Sequence, residues 1–252
     1  MKNNIDFRDL IRIEIDKTKV IAIFVVGLLF YIAAAILWKQ NIIDNNIVTH
    51  FNYVYENEMH LKLIKMLSRF GMSFITALYA LFLFLSFRKE DLKNERPLFF
   101  LILISFAFGG IGGDLLKEII DKARPIITLS EQIAIKNIND TPAFPSGHAT
   151  KSMALALPFL LFATRKNIIT IIIKILVITT ALLVCYSRIA LQAHFLSDVL
   201  AGIGTALFFI PFSILFVNFS FKRNKVNVDK LNLMSKKFIF LFIGLTIILY
   251  FI

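Results

Sequence analysis

The sequence predicts an all-α fold, a polytopic bundle of membrane-spanning helices, on two observations. Of the 252 residues, 58% are hydrophobic and only 18% are charged, whereas soluble domains are about 45 to 50% apolar and about 25% charged. The apolar residues also fall into runs that approach the roughly 20 residues needed to cross a bilayer. An ordinary soluble domain and a disordered chain are thereby excluded. The single cysteine, Cys185, excludes a disulfide scaffold.

Seven apolar segments can be marked along the chain, and we predict six membrane spans followed by a shorter seventh at the C-terminal end. They cover residues 20–38, 70–87, 98–116, 149–164, 168–186, 195–219 and 238–252. The first is too long for a signal-peptide core, and no small-residue cleavage site follows it, so we expect it to be retained. The whole chain, 1–252, is predicted to form a single membrane domain.

The basic residues are distributed unevenly between the loops and predict the orientation. Seventeen of the 28 lysines and arginines lie in the N-terminal segment 1–19 and in alternate loops, the last of which begins at residue 221. Because loops rich in Lys and Arg stay on the cytoplasmic side, the N-terminus is predicted inside. Segments 39–69, 117–148 and 187–194 are then outside. The net charge of +11 is thereby explained by topology, and no nucleic-acid partner is expected.

The external connector 39–69 has helical character in its second half. From Glu56 to Phe70 the apolar residues share one face at helical spacing, beside a basic stripe. We interpret this stretch as an amphipathic helix in the outer interface. Two roles stay open for it, an anchor between two spans or a guide for anionic lipid headgroups.

Two polar clusters lie at predicted outer ends of spans and have the residue types of an oxyanion site. Lys117 and Arg124 are seven residues apart, two helical turns, so both side chains point the same way. Farther on, Ser146 and Gly147 open a predicted helix, whose free backbone N–H groups form an anion site. His148 follows directly as a donor beside the bound anion.

A third cluster lies between the fifth and sixth spans. His194 and Asp198 are four residues apart and are predicted to open the sixth helix together, so that the carboxylate orients the imidazole. Arg188 adds a planar guanidinium suited to phosphate. The predicted topology brings all three clusters to one outer face, and positioned cations beside histidines are what phosphoryl transfer requires.

Acidic residues in the third span offer an alternative, a magnesium site. Asp114, Glu118 and Asp121 share a helical face. Lysines and arginines are interleaved with them, at Lys117, Lys122 and Arg124, and favour ion pairing within the helix instead. No metal ion is therefore expected.

Together these residues resemble the signature of the type 2 phosphatidic acid phosphatase (PAP2) family, which is K-x6-RP, then PSGH, then SR-x5-H-x3-D. In this sequence the three motifs are Lys117 to Arg124-Pro125, Pro145-Ser146-Gly147-His148, and Ser187-Arg188 to His194 to Asp198. All eleven specified positions match in order and spacing. The resemblance covers roughly residues 98–220.

The resemblance implies a six-helix membrane core with its catalytic helices in 98–220, a site at the outer leaflet and a mechanism without a cofactor, independent of Mg²⁺. It implies that His194 attacks phosphorus to form a phosphohistidine, that Asp198 orients His194, and that His148 is the general acid and then the base. The residues implied to hold the phosphate are Lys117, Arg124, Ser146, Gly147 and Arg188. The task of Ser187 stays open.

The predicted function is that of a membrane lipid phosphatase. Its partners are membrane lipids and a lipid phosphate or diphosphate substrate: undecaprenyl diphosphate, phosphatidylglycerophosphate, phosphatidic acid or a phosphate of lipid A. A lipid-to-lipid phosphotransferase with the same site is an alternative, as is a vanadate-dependent haloperoxidase, although the predicted spans argue against the latter. The Lys-, Asn- and Ile-rich composition indicates a bacterial source and thus the cytoplasmic (inner) membrane, with the site facing the periplasm or exterior. The oligomeric state stays open.

Overall fold

The computed structural model describes residues 16–89, 92, 95–125, 142–163 and 165–223. All regular secondary structure in these ranges is helical, which confirms the predicted all-α fold. The predicted seventh span, 238–252, lies outside the described residues. So do residues 1–15 of the N-terminal segment and 224–237 of the loop before that span.

Eight α-helices form the described part of the chain, with a short 3-10 turn, His50–Asn52, in the connector. They are α1 (Lys17–Lys39), α2 (Asn41–Thr49), α3 (Tyr53–Glu56), α4 (Glu58–Arg88), α5 (Arg96–Ile120), α6 (Gly147–Phe162), α7 (Ile168–Ala190) and α8 (Leu196–Arg223). Five of them, α1, α4, α5, α7 and α8, are long and apolar enough to cross a membrane. The predicted multi-pass membrane bundle is thus confirmed in this part of the chain.

Helix α6 is the span that differs from expectation. It forms where residues 149–164 predicted a span, but its 16 residues extend only about 24 Å at 1.5 Å per residue, less than the roughly 30 Å of a hydrocarbon core. It packs against α5, α7 and α8, and most of its side chains from Ala149 to Phe159 are buried. Its apolar sequence therefore serves the interior of the bundle.

Helix α8 is the other central element and packs against α1, α5 and α6. Small residues make the α1 contact close, since a Cβ atom at Gly204 would lie 3.0 Å from the carbonyl oxygen of Gly27. Large apolar side chains such as Ile21 on α1 and Ile175 on α7 are more than half exposed. Exposed apolar surface of this kind faces lipid in a membrane protein.

The amphipathic stretch is helical from residue 58 to residue 70, as predicted, but it is not a separate surface helix. It begins after Asn57, whose side chain accepts the His60 N–H at 3.1 Å, and continues without interruption through the second predicted span to Arg88. Gly71 at the junction does not break the helix. A Cβ there would lie 2.6 Å from the Val184 side chain, so α7 packs closely against this point.

The helices place the three polar clusters at one end of the bundle. The last turns of α5 and α7 and the first turns of α6 and α8 meet there, next to α2 and the start of α4. At the opposite end, Lys19 donates to the Leu161 carbonyl at 2.6 Å and Arg96 to that of Ser86 at 2.8 Å. The predicted meeting of the clusters at one face is therefore confirmed.

Candidate active site

The turn before α6 is fixed against the first turns of α8. The Ser146 N–H donates to the Asp198 carbonyl at 2.9 Å, and the Ser146 carbonyl accepts the Thr150 N–H at 2.9 Å. The contact requires a glycine on α8, because a Cβ atom at Gly202 would lie 2.8 Å from the Ser146 oxygen and 2.9 Å from the Ala149 Cβ. Gly202 was not singled out from the sequence, although it lies one turn after Asp198.

The Ser146 hydroxyl is available to a ligand. A serine at a helix N-cap usually accepts a backbone N–H of the first turn, but this side chain makes no such bond. Within the described part of the chain its Oγ atom is buried without a hydrogen-bond partner. The Lys117 ammonium lies 3.3 Å from the position of a Cβ on Gly147. A hydroxyl, a helix N-terminus and a cation thus converge as an oxyanion site would require.

Two arginines flank the loop between α7 and α8. Arg188 donates from Nη1 to the Ser68 hydroxyl at 2.8 Å, while its buried Nε has no partner among the described residues. Arg124 donates to the Ala193 carbonyl at 3.3 Å. A buried donor without a partner marks a place where a ligand completes the bonding.

His194 lies in that loop, two residues before α8 begins. The sequence predicted that His194 opens the helix together with Asp198; the helix instead begins at Leu196. The loop turns through Gln192 at a left-handed φ of 50°, and the Arg188 carbonyl accepts the His194 N–H at 3.2 Å. The chain therefore doubles back and places His194, 2% exposed, beside the arginines.

The Asp198 carboxylate faces His194 without a direct hydrogen bond. Its Oδ2 atom lies 3.7 Å from His194 Nδ1, longer than a hydrogen bond. Oδ2 instead accepts the Phe195 N–H at 2.9 Å, as the third helical residue of a capping box does. Burial lowers the pKa of His194 to about 4, although Asp198 opposes this shift. The imidazole is therefore neutral at neutral pH, as a nucleophile must be.

His148 occupies the first turn of α6 in the same site. It interacts electrostatically with Arg188, His194, Lys117 and Lys151. Both histidines and the predicted phosphate-holding cations are thus brought together. Ser187, whose task was open, donates its hydroxyl to the Val184 carbonyl of its own helix at 2.6 Å.

Lys151 is a cation that the sequence analysis did not single out. Its ammonium lies 4.0 Å from an Asp114 carboxylate oxygen, and Asp114 also lies 3.9 Å from Lys117. Ion pairing of Asp114 within its own helix was predicted and is confirmed for Lys117. Among the described residues, no three His, Cys, Asp or Glu side chains are placed to hold a metal ion.

Lys122 was expected to pair with acidic residues of its own helix, and this expectation was wrong. Its ammonium is buried and donates to Asp198 Oδ1 at 2.8 Å and to the Ser197 hydroxyl at 2.7 Å. The left-handed conformation of Asp121, with φ at 45°, ends α5 and turns the chain toward α8. The spacing of Lys117 and Arg124 does not indicate this contact between Lys122 and α8.

Comparisons with known proteins agree with these motifs. A model of the PAP2 superfamily matches residues 98–222. Among solved structures the chain is similar to a transmembrane PAP2-type phosphatidylglycerolphosphate phosphatase from Bacillus subtilis. The TM-score is 0.57 and the identity 21%, with 82% of this chain and 98% of that one covered. No curated protein sequence matches the chain. The residues that match the PAP2 superfamily, 98–222, carry all three motifs.

Proposed function

We propose that this protein is a membrane lipid phosphatase that removes the terminal phosphate from a lipid phosphate or diphosphate. One observation carries the proposal: the unpartnered Ser146 hydroxyl and Arg188 Nε converge with Lys117 around His148 and His194. The match to the PAP2 superfamily and the likeness to a phosphatase support the enzyme class predicted from the sequence, a phosphoric monoester hydrolase.

In the first step, a ring nitrogen of neutral His194 attacks phosphorus while the bond from phosphorus to the lipid oxygen breaks. His148 donates a proton to that leaving oxygen, its imidazolium being favoured once the negative charge of the bound phosphate offsets the surrounding cations. The product is a phosphohistidine, and the nearby Asp198 carboxylate stabilises the positive charge on its ring. The burial that keeps His194 neutral favours this role.

In the second step, water attacks the phosphohistidine and inorganic phosphate leaves. His148, now neutral, accepts the proton from the attacking water and is ready for another cycle. Throughout, Lys117, Arg124 and Arg188 neutralise the charge on the phosphoryl oxygens, the largest demand of this chemistry. No step requires a metal ion, so we expect activity to survive a chelator.

The position of the site at the end of the bundle fits a substrate that remains in the membrane. The headgroup would enter between the ends of α5 to α8, while the lipid tail stays beside the exposed apolar faces of the helices. Candidate substrates are phosphatidylglycerophosphate, phosphatidic acid, undecaprenyl diphosphate and lipid A phosphates. We propose that the site lies on the outer side of a bacterial inner membrane, because Lys19 and Arg165, from the described parts of the Lys- and Arg-rich segments, lie toward the other end.

The proposal is tested by an assay of purified protein against these lipid phosphates, with the products resolved by thin-layer chromatography. The wild type should release phosphate from at least one lipid, with or without chelator, and His194→Ala should release none while remaining folded. Transfer of labelled phosphate to a second lipid would identify a phosphotransferase instead. Full activity of His194→Ala, or activity that only Mg²⁺ restores after chelation, would contradict the mechanism.

A further inference from the structure

A buried cluster of charges lies behind the proposed nucleophile, and Lys122 is its centre. The Lys122 ammonium donates to Asp198 Oδ1 at 2.8 Å and to the Ser197 hydroxyl at 2.7 Å. It also lies 3.7 Å from Asp44 Oδ2. One cation therefore lies between two carboxylates from distant parts of the chain.

Asp44 reaches this cluster from helix α2 of the connector. Its side chain is 1% exposed. One carboxylate oxygen accepts the Ser197 N–H at 3.2 Å, and the other accepts the Ser197 hydroxyl. The free N–H groups at the start of a helix need acceptors, and here an acceptor for α8 comes from another helix. Asp44 lies outside the segment matched by the family, residues 98–222.

Aromatic rings enclose the Lys122 ammonium. Its Nζ lies 4.5 Å from the centre of the Phe195 ring, 5.1 Å from that of Trp38 and 5.9 Å from that of Phe144. Such rings attract a cation over their faces and exclude water. In dry surroundings the attraction between the ammonium and the two carboxylates is stronger than it would be in water.

The cluster restrains both oxygens of Asp198. Oδ1 is held by Lys122, and Oδ2 accepts the Phe195 N–H at 2.9 Å while lying 3.7 Å from His194 Nδ1. The carboxylate cannot turn about its own axis without breaking one of these bonds. Its placement opposite the imidazole is thus set by groups other than the imidazole.

We propose that Lys122 and Asp44 are positioning residues for the reaction, which hold Asp198 and the first turn of α8 in place beside His194. The connector helix α2 is then part of the catalytic apparatus. The inference rests on the proposed phosphatase function and adds to it two residues that the family signature does not specify.

The two positioning residues carry opposite charges, so removing them should have opposite effects on the protonation of the His194 imidazole. The other charged or titratable groups around that imidazole are Asp198 on α8, Arg188 on α7, Arg124 after α5 and His148 on α6. Removing the Lys122 charge leaves the carboxylates uncompensated and favours the imidazolium. Removing the Asp44 charge disfavours it. A purely structural role predicts no such pair of opposite shifts.

The test compares Lys122→Met and Asp44→Asn with the wild type in steady-state kinetics across pH. We expect kcat of Lys122→Met to fall about 10-fold or more with KM changed less than about 3-fold, the pattern of a lost transition-state interaction. The acid limb of its pH profile should move to higher pH, and that of Asp44→Asn to lower pH. Lys174→Met is the control, because Lys174 donates to the Ala163 carbonyl at 3.1 Å at the other end of the bundle; it should match the wild type.

Folding of each variant is checked by monodisperse elution in detergent. A folded Lys122→Met with wild-type kcat and pH profile would overturn the inference, as would shifts of both acid limbs in one direction. If Lys122→Met does not fold, Asp44→Asn decides, and an unchanged acid limb in that variant overturns the inference. A wild type inactive on every lipid phosphate would instead refute the proposed function.

Discussion

Ser146 is the residue whose surroundings point most clearly to a missing ligand. Ser146 is 0% exposed. Its hydroxyl makes neither a cap bond nor any other hydrogen bond within the described structure. A buried polar group left in this state costs about 1 to 3 kcal/mol of stability. The hydroxyl is therefore better explained by what it binds than by what it contributes to the fold.

Replacing this hydroxyl should harm catalysis and spare the fold. In Ser146→Ala we expect kcat/KM to fall about 10- to 100-fold, since a hydrogen bond to a charged group contributes about 1.5 to 3 kcal/mol. The melting temperature should not fall. The control is Ser152→Ala, one to two turns farther along α6, which loses a bond to the Ala149 carbonyl at 3.2 Å and should keep its kcat/KM. Unchanged kinetics in Ser146→Ala would remove the hydroxyl from the site.

Sequence spacing predicted the residues of the site but not those that hold them. The eight predicted site residues lie in three short motifs, and the structure brings them to one end of the bundle. Lys122 and Asp44 were missed because their contacts join positions 76 and 153 residues away along the chain. Periodicity within one helix carries no information on such pairs. The chemical roles of the predicted site residues remain predictions.

At the scale of elements, the junction of α6 with α8 determines the geometry of the site. The Ser146 N–H bonds to the Asp198 carbonyl, and the bare backbone at Gly202 permits this approach. This backbone contact therefore joins the anion-binding turn to the helix that carries Asp198. A change at this contact should move both.

Gly202→Ala should disrupt this junction, because the added methyl group would lie 2.8 Å from the Ser146 carbonyl oxygen and 3.1 Å from the Thr150 nitrogen. These are backbone atoms, which cannot move aside easily. We expect a lower melting temperature and a loss of activity of about 100-fold. Gly113→Ala is the matched control, since its methyl group would meet Thr150 at an ordinary 3.6 Å. Similar behaviour of the two variants would contradict this role of Gly202.

Hydropathy located the helices better than it located their ends. The apolar runs identified α1, α5, α7 and α8, but the polar first turns of α4 hid its continuity from Glu58 to Arg88. The similar run at 149–164 was also interpreted as a span, and α6, which forms there, is shorter than the other spans and enclosed by α5, α7 and α8. Apolar composition does not distinguish a side chain that faces lipid from one that faces another helix.

At the scale of the whole molecule, the cations are divided between the two ends of the bundle. Lys117, Arg124 and Arg188 lie at the site, while Lys19 and Arg165 lie at the other end, where Arg165 pairs with Glu95 at 3.2 Å. The positive-inside rule then predicts that the site lies at the outer face of the membrane. That orientation is a prediction from loop composition.

Single cysteines can test the orientation in intact cells. In a Cys185→Ser background, cysteine at the exposed Glu58 position, near the site, should react with a membrane-impermeant maleimide. Cysteine at the exposed Lys166 position, at the opposite end, should react only after the membrane is permeabilised. The reverse pattern would place the site in the cytoplasm and contradict the assignment.

The most direct test of the central claim is to trap the phosphoryl group on the protein. Purified wild type and His194→Ala would be incubated briefly with a lipid phosphate labelled in its terminal phosphate, quenched in alkali and examined for protein-bound label. The account predicts label on a histidine in the wild type and none in His194→Ala. Label on the folded variant, or release of phosphate by it, would show that His194 is not the nucleophile.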